Sequence, residues 1–191
     1  MNILKNMPVK YFDHYMLRTL QKNDAIDMYD YGKDLEVTKF LTWGPMTSLK
    51  DAKLSIKSVF FQRPKNGIPI GYAIIDINCN KMIGTIDFHT KIKGQNAYEV
   101  GYVIHKDYWG LGIMTKALEI VTEVGFEVYG YDKLLIKHLK NNLASGRVIE
   151  KNRYIFKSSY PYVYKKVTHV LSSDMMVYEM TKERYNEIKS R

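Results

Sequence analysis

The feature that most constrains the fold of this chain is a two-glycine turn between a strand-like run and a helix-like run. Residues 98–104 alternate as a strand does, Gly110 and Gly112 form the turn, and residues 116–129 carry apolar side chains at helical spacing. A strand, a turn and a helix in this order expose unpaired backbone N–H groups at a helix N-terminus. Because these donors and the helix dipole favour negative charge, the turn predicts a phosphate or pyrophosphate site.

The first part of the chain is predicted to be mainly helical. Residues 15–20 indicate a strand, and residues 24–33 a helix that Asn23 caps. A short second piece at 34–41 ends before a Trp-Gly-Pro sequence that breaks helices. Ser48 and Asp51 have the spacing of a capping box, which predicts a further helix toward Pro64.

The remainder is predicted to alternate between strands and helices. The strands of a meander are expected at 70–77, 82–90 and 98–104, with turns at 78–81 and 91–95. Gly130 closes the helix that follows the two-glycine turn, and a strand at 133–139 and a helix at 143–151 come next. Strands at 154–164 and 174–181 form a terminal hairpin. The order predicts an α+β domain with one β-α-β crossover.

Length and composition are typical of one globular domain over residues 1–191, with 46% apolar and 13% aromatic residues. No apolar run reaches the roughly 20 residues that span a bilayer, and the N-terminus lacks a signal-peptide core. The single cysteine, Cys79, excludes an internal disulfide, and the five histidines show no metal-ligand spacing. We therefore expect a cytoplasmic protein without a metal site.

The positive charge is concentrated near the C-terminus. The net charge is +9, and residues 131–191 hold 13 Lys and Arg against 6 Asp and Glu. This bias favours an anionic ligand, an acidic protein surface or nucleic acid, and solvated surface lysines explain it equally well. No nucleic-acid motif accompanies the charge, so nucleic acid is the least favoured partner.

Four blocks of residues stand in an order and spacing that resemble a known family. They are Asp24-Ala25 with residues 37–43, Glu99 to Tyr102 followed by Tyr108 to Gly112, the set Asn142, Ser145, Val148, Glu150 and Lys151, and Asp174 to Tyr178. In these blocks, and over nearly its whole length, the chain resembles the GNAT superfamily of acetyl-CoA-dependent N-acetyltransferases. More narrowly, it is similar to the ribosomal-protein N-terminal acetyltransferases of the RimJ/RimL type.

The resemblance implies a three-layer α/β fold, the acyl-CoA N-acyltransferase fold. This fold has a mixed central sheet of about seven strands, helices on both faces and splayed central strands. It also implies acetyl-CoA as the acetyl donor, held by the pyrophosphate turn and by backbone along the splayed strands. The residues expected to bind it are Val103, Ile104, Trp109, Gly110, Leu111, Gly112, Ile113, Met114, Thr115 and Asn142.

Two residues are candidates for the proton chemistry of acetyl transfer. Relatives carry a glutamate like Glu99 that acts as base, and a partly desolvated carboxylate suits proton abstraction. The alternative for Glu99 is an ion pair with a nearby lysine. Many GNAT enzymes use a tyrosine as acid where this chain has Ile149, and the RimJ/RimL-like pattern suggests Ser145 instead. The alternative for Ser145 is a hydroxyl that only bonds the backbone.

Two positions depart from the family pattern. Arg153 stands where the family has glycine, which carries a steric penalty if φ is positive there. Met114 stands where the wider superfamily has a small residue, so its side chain is expected to crowd the pyrophosphate turn.

Three functions remain open from the sequence. The leading one is transfer of acetyl to a primary amine, either a protein N-terminus or a small molecule, by direct attack in a ternary complex. The second is a CoA-binding module without catalysis, and the third is a basic nucleic-acid-binding protein. The oligomeric state is expected to be monomer or homodimer, and acceptor specificity is expected to lie in the helical N-terminal segment and the C-terminal hairpin.

Two further groups of residues are expected to have structural roles. His105 and His138 fall at the ends of the splayed strands, where contact with a ligand is the alternative, and are expected at the surface. Tyr160, Tyr162 and Tyr164 share one strand face and are expected to pack rather than to line the acceptor cleft.

Overall fold

One open sheet of eight strands forms the centre of the protein. A computed structural model of the chain describes residues 2–166 and 170–190. The strands are β1 (Lys10–Phe12), β2 (Tyr15–Thr19), β3 (Tyr72–Asp76), β4 (Lys81–Lys91), β5 (Ala97–Ile104), β6 (Lys133–Leu139), β7 (Ile155–Lys165) and β8 (Val170–Thr181). Their order in the sheet is β1-β2-β3-β4-β5-β6-β8-β7, and the only parallel neighbours among them are β5 and β6. The additional strand relative to the prediction is β1, whose three residues are too few to show a period of two.

Helices cover both faces of the sheet, as predicted. They are α1 (Ala25–Gly32), α2 (Leu35–Thr38), α3 (Leu49–Ser58), α4 (Ile113–Glu123), α5 (Leu143–Lys151) and α6 (Lys182–Lys189), with a π-helical turn (Val124–Val128) after α4 and 3-10 helices at Lys22–Asp24, Phe60–Asn66 and Lys106–Tyr108. We call the face that carries α1 and α3 the front face and the face that carries α4 and α5 the back face. No helix in the described ranges is long and apolar enough to cross a membrane.

Several predictions that rest on short local sequence patterns were confirmed. β6 and α5 have the predicted bounds. The capping box of α3 forms, because the Asp51 carboxylate accepts from the Ser48 backbone N–H at 3.1 Å. Gly130 has a φ of +66° and follows the helical segment, as a closing glycine does.

Other local predictions were wrong. Asn23 does not cap α1; the helix begins at Ala25 after Asp24, whose carboxylate accepts instead from Arg18 and from the Gln21 backbone N–H. The long helix begins at Ile113, three residues earlier than expected. The chain continues past the hairpin into α6, which the sequence did not indicate because only Tyr185 and Ile188 reach the core.

The central strands splay apart, as the resemblance implied. β5 and β6 pair over four residues each, from Ala97 opposite Lys133 to Val100 opposite Ile136. Beyond that point both strands continue, to Ile104 and Leu139, without pairing to each other. We call the wedge between residues 101–104 and 137–139 the opening. β5 stays attached to β4 along its unpaired part, with Gly84 opposite Ile104.

Gly84 is required for this attachment. A Cβ at residue 84 would clash with the Val103 carbonyl oxygen and lie 2.9 Å from the Ile104 Cα. A side chain here would push β4 away from the part of β5 that borders the opening, so glycine fixes the position of that edge.

Arg153 has a φ of +61°, in the left-handed region that glycine adopts without strain. We expect Arg153→Gly to stabilise the protein by about 1 kcal/mol, because the steric penalty of roughly 1–2 kcal/mol outweighs the added freedom of the unfolded chain. Urea denaturation measures this. Arg147→Gly, at an exposed position in the middle of α5, is the control and should destabilise by about 1 kcal/mol. A lower midpoint for Arg153→Gly would contradict the strain argument.

Candidate active site

The two-glycine turn presents six consecutive backbone donors at the start of α4. Gly110 and Gly112 both have a φ of +78°, and nothing lies within 4 Å of a Cβ built at either residue. Glycine is therefore needed for the backbone conformation and not for space. Within the described residues, no backbone acceptor is recorded for the N–H groups of residues 110–115, whereas Lys116 begins the helical pattern by donating to the Gly112 carbonyl. This row of donors meets the positive end of the α4 dipole.

Two aromatic side chains anchor the turn. The Trp109 indole N–H donates to the Ile104 carbonyl at 3.0 Å, and the Tyr108 hydroxyl donates to the Asp76 carboxylate at 3.0 Å. The first contact ties the turn to the end of β5, and the second ties it to β3. Met114 does not crowd the turn as expected, because its side chain is buried in the core of the back face.

Glu99 lies on the front face at the base of the opening. Its carboxylate is 2.7 Å from the Lys137 ammonium and 3.6 Å from His89 Nε2, and the side chain is 14% exposed. Burial alone would lower the pKa of Lys137, but the hydrogen bond and charge of Glu99 outweigh it and raise that pKa. The structure thus contains the lysine ion pair that was the alternative for Glu99, and this pair spans the opening from β5 to β6.

Ser145 lies on the back face, where α5 begins. Its hydroxyl forms a hydrogen bond of 2.8 Å with the Tyr102 hydroxyl, and its backbone N–H donates to Asn142 Oδ1 at 3.3 Å. Asn142 is therefore the N-cap of α5. Among the described residues the Ser145 hydroxyl has no backbone partner, which was its alternative role. Tyr102 was not singled out from the sequence, since nothing in its spacing indicated a partner 43 residues away.

Glu99 and Ser145 therefore face the opening from opposite sides of the sheet. Glu99 and Tyr102 are three residues apart on β5, so their side chains point to opposite faces. A group held in the opening would have a carboxylate on one side and a hydroxyl on the other.

The front face continues from the opening toward β7 as an uncovered surface. Tyr160 and Tyr164 are 42% and 38% exposed, and the Tyr162 ring stacks against Tyr164 with centroids 6.4 Å apart. The prediction that these tyrosines pack was wrong for Tyr160 and Tyr164, because no helix of the described residues covers this half of the face. Tyr160 and Tyr162 interact electrostatically with Lys137, which places them beside the Glu99 ion pair.

Lys166 connects the β7–β8 hairpin to the N-terminal segment. Its ammonium donates to the carbonyl of Thr38 at 2.8 Å and to that of Trp43 at 3.0 Å. Burial lowers the pKa of this lysine. The contact brings together the two segments from which acceptor specificity was expected.

His138 was predicted at the surface and is buried. It is 8% exposed, stacks on Tyr178 and lies against Gly146, where a Cβ would be 3.2 Å from its ring. Its Nδ1 is 2.9 Å from the Leu139 carbonyl, and its Nε2 has no partner among the described residues. The reason for the error is that α5 folds back over the end of β6, which the spacing of histidines does not reveal.

The burial of His138 predicts an acid-sensitive stability. Burial lowers its pKa, so below the ordinary histidine pKa of about 6.5 the unfolded chain binds a proton that the folded protein does not. Stability is therefore expected to fall as the pH drops from about 7 toward 5. Urea midpoints at both ends of this range should differ less for His138→Phe than for the wild type. His14→Phe, at an exposed histidine, is the control, and an equal difference in all three proteins would contradict the prediction.

The described residues contain no group of three or more His, Cys, Asp or Glu side chains placed to hold a metal ion. Cys79 is exposed in the β3–β4 turn, 3.9 Å from the Tyr108 hydroxyl.

Comparison with known proteins agrees with this fold. The model of the family described as acetyltransferase (GNAT) domain matches residues 14–155. The chain therefore belongs to the GNAT family of acetyltransferases, and it is an N-acetyltransferase.

Individual relatives are distant in sequence and close in fold. An uncharacterized N-acetyltransferase, p20, of Bacillus licheniformis is 24% identical over 143 residues, which cover 75% of this chain and 80% of that protein. RimL, a ribosomal L7/L12 alpha-N-protein acetyltransferase solved with coenzyme A, has a TM-score of 0.77 at 18% identity, covering 94% of this chain and 99% of that one. A ribosomal-protein-S5-alanine acetyltransferase from Vibrio fischeri has a TM-score of 0.75 at 18% identity, covering 92% and 97%.

Proposed function

We propose that the protein transfers the acetyl group of acetyl-CoA to a primary amine by direct attack within a ternary complex. The observation that carries the proposal is the combination of the opening between β5 and β6 with the six backbone donors at its mouth. An extended ligand that ends in a pyrophosphate fits both features, because it can lie along unpaired strand edges while its charge meets a helix N-terminus.

The donor is held by backbone more than by side chains in this proposal. The N–H groups of residues 110–115 surround the pyrophosphate, and the backbone of Val103 and Ile104 accompanies the pantetheine arm like an added strand. The Asn142 side chain adds a polar contact at the beginning of α5. One backbone N–H in the opening polarises the thioester carbonyl as charge develops on its oxygen.

The chemistry requires two proton transfers. The amine nitrogen attacks the thioester carbon, Glu99 accepts the proton that the amine loses, and the carbon–sulfur bond breaks. Ser145 then gives its hydroxyl proton to the departing thiolate, and before the next turnover Ser145 regains a proton from solvent water while Glu99 releases its proton to solvent. The positions of Glu99 and Ser145 on opposite sides of the opening support these separate roles.

The acceptor is proposed to approach over the front face. There the surface from Lys137 to the tyrosines of β7 is uncovered, and the Lys166 contact encloses one side of it. Relatives named as ribosomal-protein acetyltransferases suggest a protein N-terminus, and a relative named as spermidine N-acetyltransferase suggests a small amine. A primary amine is common to both.

Release of free thiol from acetyl-CoA tests the function. The purified protein is assayed with peptides bearing free N-termini, a polyamine and an amino sugar, and acetyl-CoA binding is measured in parallel by calorimetry. We expect acceptor-dependent thiol release with at least one class of amine. Tight binding of acetyl-CoA without release across the panel would contradict the enzymatic proposal and favour a CoA-binding module.

The role of the turn is tested by Gly112→Ala. An alanine at a φ of +78° is strained by roughly 1–2 kcal/mol, and relief of that strain moves the donors out of place. We expect the KM for acetyl-CoA to rise by roughly 5–30-fold with little change in kcat. Gly94→Ala, in the β4–β5 turn with a φ of +74° and open space around it, is the matched control and should leave KM unchanged. Equal KM values in both variants would contradict a pyrophosphate site at residue 112.

A further inference from the structure

Tyr102 closes the back of the opening. It lies on β5 two residues beyond the last pair with β6, so no hydrogen-bonded ladder joins β5 to β6 at this level. Its hydroxyl instead reaches α5, 2.8 Å from Ser145 Oγ and 3.3 Å from the Ser145 carbonyl oxygen. Its ring is half-buried against the core of the back face.

The two hydroxyls of this pair share two protons, and their arrangement decides what Ser145 can do. If Ser145 donates to Tyr102, the serine proton is occupied and cannot reach a ligand. If Tyr102 donates to Ser145 Oγ, the serine proton is free to turn into the opening. Burial raises the pKa of the Tyr102 phenol, so its proton stays on the oxygen and remains available for donation.

We propose that Tyr102 is a positioning residue that donates its hydroxyl proton to Ser145 Oγ and so directs the Ser145 proton toward the thioester sulfur. The same hydrogen bond stabilises the negative charge that develops on Ser145 Oγ as its proton leaves, because hydrogen bonds to charged groups are stronger than neutral ones. The inference rests on the proposed role of Ser145 as acid.

The surroundings of α5 explain why a second hydroxyl is needed here. Ile149 lies one helical turn after Ser145 on the same helix face, and its side chain is fully buried. This apolar side chain therefore offers no proton to the opening. A serine hydroxyl alone is a weak acid, and the phenol of Tyr102 reaches it from β5, the other side of the opening.

A double-mutant cycle on kcat tests the proposal. We expect Tyr102→Phe to lower kcat by roughly 10–100-fold, the effect of one hydrogen bond to a charged group, while the KM for acetyl-CoA changes by less than about two-fold. Ser145→Ala should lower kcat at least as much. The double variant should be no slower than Ser145→Ala, because the phenol acts only through the serine. Ser145→Thr keeps the hydroxyl and should retain more activity than Ser145→Ala.

Tyr154→Phe is the matched control. Tyr154 is also a buried tyrosine next to α5, and its hydroxyl bonds the Thr122 hydroxyl at 2.8 Å. This variant should lose stability comparable to that of Tyr102→Phe and keep its kcat. A merely structural role for Tyr102 would make the two variants alike.

The outcomes separate the inference from the function on which it rests. An unchanged kcat in Tyr102→Phe, or losses that multiply in the double variant, would overturn the role of Tyr102 while a slow Ser145→Ala leaves the acid assignment standing. An unchanged kcat in both single variants would remove Ser145 as acid and the inference with it.

Discussion

Replacing Glu99 with glutamine is expected to lower kcat by about 10²-fold or more, which is the contribution of a general base. The KM for acetyl-CoA should stay within about three-fold of the wild-type value, because Glu99 lies on the acceptor side of the opening. Thiol-release kinetics measure both quantities.

Glu179→Gln is the matched control for this variant. Glu179 is a front-face carboxylate on β8 with 17% side-chain exposure, and it is paired with Lys133 at 3.5 Å and Lys157 at 3.3 Å. It resembles Glu99 in burial and in its lysine partners but lies on β8, which does not border the opening. If the two variants lose kcat equally, Glu99 is a structural ion pair.

Replacing Arg63 with methionine is expected to destabilise the protein by about 3–5 kcal/mol. The Arg63 guanidinium is 3.1 Å from the Asp87 carboxylate, with both side chains no more than 10% exposed, and it also donates to the Ile70 carbonyl and stacks on Phe60. Its removal leaves the buried Asp87 carboxylate without a counter-charge. Removing one partner of a buried ion pair destabilises a protein far more than replacing both partners with apolar residues. Urea denaturation measures the loss.

A rescue variant and a control at an exposed ion pair test whether the lost stability comes from the unpaired buried charge. Asp87→Asn in the Arg63→Met background removes the buried charge and should recover part of the lost stability. Lys116→Met breaks the exposed Lys116–Glu119 pair on α4 and should cost less than about 1 kcal/mol. A loss of similar size for Arg63→Met and Lys116→Met would contradict the account.

The sequence predicted well the elements whose signals are local. The capping box of Ser48 and Asp51, the closing glycine at 130 and the two-glycine turn are each specified by residues within a few positions of one another. The splayed strands and the order of the layers came from the family resemblance and not from local patterns. They depend on long-range pairing that one sequence does not display.

The parts that sequence reasoning missed depend on what another element covers. His138 is buried because α5 packs over it, and the tyrosines of β7 are exposed because no helix covers their half of the front face. Tyr102 acquires a partner only when the chain returns 43 residues later. In each case the local sequence around the residue does not indicate which distant element packs against it.

If acetyl-CoA binds in the opening as proposed, the four-residue seam between β5 and β6 also couples the folding of this protein to the supply of its donor. The seam is the only ladder that joins the two antiparallel halves of the described sheet, so the middle of the sheet has few hydrogen bonds of its own. A donor that pairs with both unpaired edges would act as a missing strand segment. By mass action it would add about 2.7 kcal/mol of stability at a concentration 100 times its Kd. A cell rich in the donor would thereby hold more of this chain folded than a starved one.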